Sequence, residues 1–148
     1  MLKLVNEPDD YRLQLHDGRI PDELSTLIFH ESTATQIRSF QPIYLPGIAQ
    51  TPDYARALLQ ELALDDPAKI ERLIQIRMRR REILARLNPP KCMYFIHENA
   101  LRMPIGGPRV MNEQLLQLLM LGNQPECAIR VVPMSAGARG YTGGLAEK

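Results

Sequence analysis

Cysteine is scarce in this 148-residue chain: Cys92 and Cys127 are the only two. Two thiols without a secretory signal exclude a disulfide scaffold and point to a reducing, cytoplasmic setting. Charge of one sign is also missing, with 18 basic and 17 acidic residues giving a net charge of +1. A protein whose main work is gripping phosphate backbones is expected to be basic, so that class is disfavoured. No apolar run approaches the ~20 residues of a membrane span. The opening Met1-Leu2-Lys3-Leu4-Val5-Asn6-Glu7 turns polar too early for a signal peptide.

Complete catalytic and metal motifs are absent too. His30-Glu31 and His97-Glu98 begin like a zinc-protease helix, but Ala34 and Leu101 stand where the second histidine belongs. His16 has no ligand cluster beside it. Neither cysteine belongs to a C-x-x-C pair, and no serine lies in a G-x-S-x-G elbow. Gly106-Gly107 precedes a helix, where an anion could sit, but the P-loop lysine and the G-x-G-x-x-G pattern are missing. A tight turn is the simpler reading. No metal or cofactor is expected, and the chain reads as non-enzymatic.

What the chain does have is an unusual set of arginines. From Ile70 to Leu87, Ile70, Leu73, Ile74, Ile76, Ile83, Leu84 and Leu87 fall on one side of a helix turning roughly 100° per residue. Arg80 sits near the middle of that apolar arc and Arg77 within it, while Arg72, Arg79 and Arg86 recur on the polar side. A guanidinium keeps its proton, so an inward one needs carboxylates, carbonyls or a bound anion. The reading that follows is a buried Arg80 bonded to a carboxylate, with Glu98 and Glu31 as candidates. Glu98 and Arg102 are four apart and pair on one face if that stretch is helical. The alternative is that Glu98 reaches Arg77 or Arg80.

Local signals give a fold class. Pro21-Asp22-Glu23 starts a helix expected to run to about Phe40. Thr51-Pro52 and Asp66-Pro67 each read as a cap followed by a first-turn proline. Pro89-Pro90 ends the arginine helix. Cys92–Ile96 and Glu126–Val132 read as strands around a helix from about Arg109 to Leu121, closed by Gly122. The expectation is an α/β (α+β) protein: about three helices over 21–88, then a small β-α-β unit within 90–148, with a mobile Gly-rich tail. Residues 21–148 form one domain. Residues 1–20 alternate around Leu2, Leu4, Tyr11, Leu13 and Leu15 and suggest a hairpin. Two parallel strands do not stand alone, so that hairpin, a partner chain such as a second copy in a homodimer, or a C-terminal extension is expected to complete the sheet.

Several segments together carry a resemblance. They are Glu31–Arg38, Pro46–Ala57, Arg77–Arg80, Glu98–Arg102, Gly106-Gly107, Val110-Met111, Gln114-Leu115 and Val131-Val132-Pro133 with Gly137. In that order they resemble the C-terminal effector domain of actinobacterial XRE-family helix-turn-helix transcriptional regulators, a domain of unknown function described as antitoxin-like. The chain departs from that pattern at Arg81, where Gln is usual, and at His97, where Asp is common. The family also continues past the Gly-rich turn into further strands. The resemblance implies a non-enzymatic regulatory domain that meets a small partner protein or a small-molecule effector. It implies no DNA contact from this chain, because nothing in residues 1–20 reads as a helix-turn-helix. Arg56, Arg77, Arg80, Glu98 and Arg102 are the candidate ligand- or partner-binding residues. An anionic-ligand sensor and, behind it, an enzyme are the rival readings.

Overall fold

Alternation in the strands and caps on the helices set the architecture of the computed structural model, which describes residues 22–137. The elements are α1 (Asp22–Thr33), β1 (Gln36–Gln41), α2 (Pro52–Glu61), α3 (Pro67–Arg81), β2 (Lys91–His97), α4 (Glu98–Arg102), α5 (Gly107–Gly122) and β3 (Cys127–Val132). Thr51 caps α2 by accepting the Tyr54 amide, and Asp66 caps α3 by accepting the amides of Ala68 and Lys69. α3 tightens into a 3-10 turn over Glu82–Ala85 before the double proline. The chain is mixed α/β, with α1, α2 and α3 in its first half. No helix among the described residues is long and apolar enough to cross a membrane.

The three strands form one parallel sheet in the order β1-β2-β3. β1 corrects the expectation of a helix running to Phe40. The Ser32 and Thr33 hydroxyls bond back to the carbonyls of Phe29 and His30, which occupies acceptors of the last turn. Residues 36–41 then extend along β2, with Ile37 opposite Cys92 and Phe40 opposite Phe95. The third strand therefore comes from inside the first half of the domain. The proposed N-terminal hairpin lies outside the described residues.

Cys92, Tyr94 and Ile96 alternate to one face of β2 and are buried there with Leu118, Leu121 and Met111 of α5. The main core also takes Leu45, Ile48, Tyr54 and Leu58. A second apolar cluster, Leu24, Ala55, Leu59, Ile70, Leu73 and Ile74, joins α1, α2 and α3. Each fully buried aliphatic side chain contributes ~1.5–3 kcal/mol. The arginine helix thus packs at its N-terminal half through aliphatic residues and at its C-terminal half through guanidiniums.

Candidate functional site

The inward arginines of α3 are placed by helical spacing: residues 77, 80 and 81 lie three and four apart on one face. Arg80 grips Glu31 of α1 with two bonds, Nε to Oε2 at 2.8 Å and Nη2 to Oε1 at 2.9 Å. Both side chains are close to buried, at 9% and 11% exposed. The carboxylate is therefore Glu31 and not Glu98. Arg77 is buried beside the same place. A Cβ at Gly47 would lie 3.6 Å from Arg80 Nη1 and 3.8 Å from Arg77 Nε, so the glycine lets the loop backbone run along both guanidiniums.

That loop, residues 45–51, is the inner backbone of the domain. Leu45, Ile48, Ala49 and Gln50 are buried, and buried carbonyls and amides need partners. Arg81 supplies two, donating from Nε to the Ile48 carbonyl at 3.1 Å and from Nη2 to the Gln50 carbonyl. Burial lowers the Arg81 pKa from the usual arginine value. Gln50 donates to the Leu45 carbonyl at 2.8 Å. Gln114 of α5, wholly buried, accepts the Thr51 amide at 2.6 Å and donates to the Ala49 carbonyl at 2.9 Å. Sequence reasoning overlooked Gln50 and Gln114 as anchors and treated Arg81 only as a departure from a pattern. The signal for Gln114 was available: an amide inside the apolar stripe of Met111, Leu115 and Leu118.

Arg56 lies elsewhere, on α2. Its guanidinium donates to Asp53 at 3.2 Å and to Glu71 at 3.0 Å, beside a shallow groove bordered by Gln60, Leu64, Asp65 and Ile70. The bond from Arg56, then that from Gln75, holds the Glu71 carboxyl below its ordinary value.

Glu98 and Arg102 form a third location, at the carboxyl ends of the strands, where open α/β sheets commonly bind ligands. His97 closes β2 and caps α4, its Nδ1 accepting the Asn99 amide at 3.1 Å. Glu98 follows directly. Its Oε1 accepts from Arg102 at 2.7–2.8 Å, and its Oε2 accepts the Met134 amide at 2.9 Å. The carboxylate therefore ties α4 to the turn after β3. Arg102 remains 68% exposed. The five candidate residues thus occupy three separate places: Arg77 with Arg80, Arg56 alone, and Glu98 with Arg102. The pair with Arg102 is the local one, and neither Arg77 nor Arg80 is reached by Glu98.

The Met134 amide first, and then Arg102, lower the Glu98 carboxyl pKa below the usual glutamate value. The charged form is the one that holds the turn, so the tether is present above that pKa and is lost as pH falls through it. A pH titration followed by amide NMR should show Met134 responding with a midpoint below that of ordinary glutamates. A midpoint at or above the ordinary value would rule out the tether.

The cysteines face each other across the sheet, Cys92 opposite Cys127, and both are buried as free thiols. Burial pushes both upward, Cys127 to about 11, the opposite of what an activated nucleophile requires. No group of three or more His, Cys, Asp or Glu residues that could hold a metal occurs among the described residues.

Comparison with known proteins adds one assignment. No curated protein and no solved structure matches the chain. A family model covers residues 24–146, from α1 through the strand at the sheet edge and beyond. The chain belongs to the family described as domain of unknown function DUF5753.

Proposed function

We propose that the chain is a non-enzymatic, antitoxin-like regulatory domain of an XRE-type transcriptional regulator, and that it meets a small partner protein at the carboxyl ends of its strands. The observation that carries this reading is the Glu98 tether, which draws α4 and the turn after β3 into one surface. That surface joins a charge to an apolar side chain: Arg102 stands beside the tether, and Met134 is more than half exposed. An exposed guanidinium next to exposed apolar side chains is the composition of a protein contact.

The anionic-ligand reading has less support. It needs an inward guanidinium waiting for a ligand, and the inward Arg80 already bonds a carboxylate, as do the exposed Arg56 and Arg102. The resemblance to regulators supplies the choice of partner, a small protein encoded beside the regulator.

The test is co-purification of the chain with the products of the adjacent genes, followed by calorimetry on the purified pair. A complex that forms with the unaltered chain and is weakened by Arg102→Glu and by Met134→Asp supports the proposal. Tight binding of a small anion in place of any protein, or a complex indifferent to both variants, overturns it. Met134→Asp, at an exposed position, should stay within about 0.5 kcal/mol of the parent, and Arg102→Glu, which sets a like charge four residues from Glu98, within about 1 kcal/mol, so that loss of binding is not loss of fold.

A further inference from the structure

The lateral edge of the sheet is a different surface from the carboxyl ends. β3 is the last strand in the order β1-β2-β3, with no described strand beyond it. Such an edge presents a row of backbone donors and acceptors that proteins cover or pair. We infer that it is covered by a second copy of this chain, with the two β3 strands antiparallel about a two-fold axis through Ala128 and the two α5 helices side by side.

The register follows from side-chain parity and charge. The Glu126 carbonyl accepts the Cys92 amide at 2.7 Å, so the even-numbered residues of β3 turn their backbone groups to β2; the Cys127 amide bonds back to the Gln124 carbonyl, which leaves the Ile129 and Val131 amides on the open edge. A two-fold axis perpendicular to the sheet keeps each face on its own side, so opposed residues share parity and their numbers sum to an even value. A sum of 252 sets Glu126 against Glu126, and 260 sets Arg130 against Arg130. A sum of 256 sets Glu126 of each copy opposite Arg130 of the other, with the small Ala128 on the axis. Opposite charges directly across an antiparallel pair are favourable and like charges are not. Neither Glu126 nor Arg130 makes an ion pair with a described residue.

The helix agrees with this strand pairing. A Cβ at Gly122 would lie 3.5 Å from Ile129 Cδ1, so that side of α5 faces β3. Leu115 and Leu119, seven and three residues earlier, share that side. The opposite flank of α5 is held to α2 through Arg109 and Asp53. Leu119 is 66% exposed, unusual for a leucine beside a sheet edge. In the pair, the odd-numbered residues Cys127 and Ile129 lie beneath α5, and Leu119 of each copy meets the α5 of the other. A surface that answers its own charges and its own apolar ridge is the mark of an isologous contact.

Sedimentation of the full chain over micromolar concentrations tests this. A dimer is expected, with dissociation raised roughly tenfold or more by Arg130→Glu and by Glu126→Arg taken singly. The double exchange Glu126→Arg with Arg130→Glu should return the affinity to near that of the parent. Leu119→Asp should give a monomer with an unchanged circular dichroism spectrum. A monomer throughout, a dimer insensitive to these variants, or a double exchange that fails to restore pairing overturns the inference. A monomer whose Ile129 and Val131 amides, the ones turned away from β2, resist hydrogen exchange also overturns it and assigns the edge to another segment of the same chain. These readouts do not depend on the partner at the carboxyl ends.

Discussion

Arg80→Ala is expected to destabilise the domain by about 3–5 kcal/mol, because it leaves the Glu31 carboxylate unpaired in a nearly closed site. In a chain of this size that corresponds to a fall on the order of 10 °C in melting temperature. Arg79→Ala, one residue away on the exposed side of the same helix, should stay within about 0.5 kcal/mol. Glu31→Gln should approach the cost of Arg80→Ala, since the guanidinium then loses its counter-charge. Arg80→Lys should recover only part of the loss, because a single ammonium cannot reproduce the two-bond fork. Thermal denaturation of the four variants side by side checks this. Equal melting temperatures for the alanine variants at 79 and 80 would be incompatible with a structural pair.

The reason Arg80 could be anticipated is geometric. Its place in an apolar arc of period 3.6 is a local property, and local properties are visible in a sequence. The same holds for the caps at Thr51 and Asp66, whose hydroxyl and carboxylate meet amides two and three residues on. β1 was not visible in this way. Residues 34–40 contain Ala34 and Ile37 at helical spacing, and what makes them a strand is β2, which lies fifty-five residues later in the chain at each pairing. Tertiary pairing overrides a weak helical pattern. Glu31 against Arg80 is likewise a contact across 49 positions. Chemistry narrowed the partner to a carboxylate, and only the fold chose which one. Arg81 shows the limit more sharply, because its acceptors are backbone carbonyls, which no side-chain pattern advertises.

The other large effect is expected at Gln114. The Thr51 amide is a donor and the Ala49 carbonyl an acceptor, so a single orientation of the side-chain amide satisfies both. Gln114→Leu fills the space and removes both bonds, leaving the buried Ala49 carbonyl without a partner at ~1–3 kcal/mol and the part-buried Thr51 amide without one at the low end of that range. Gln114→Glu is more informative. Its carboxylate can accept from Thr51, but in place of the donor it sets a charged oxygen against the Ala49 carbonyl. Protonation restores a donor there, so the folded chain should hold that proton to higher pH than the unfolded chain does. A group with a raised folded pKa contributes its stability at low pH and loses it as pH rises through the folded value. The gap in melting temperature between Gln114→Glu and the parent should therefore be wide at pH 7 and narrower at pH 5. A gap of equal size at both would mean that Gln114 does not serve as donor and acceptor at once, and the loop over residues 45–51 would need another anchor.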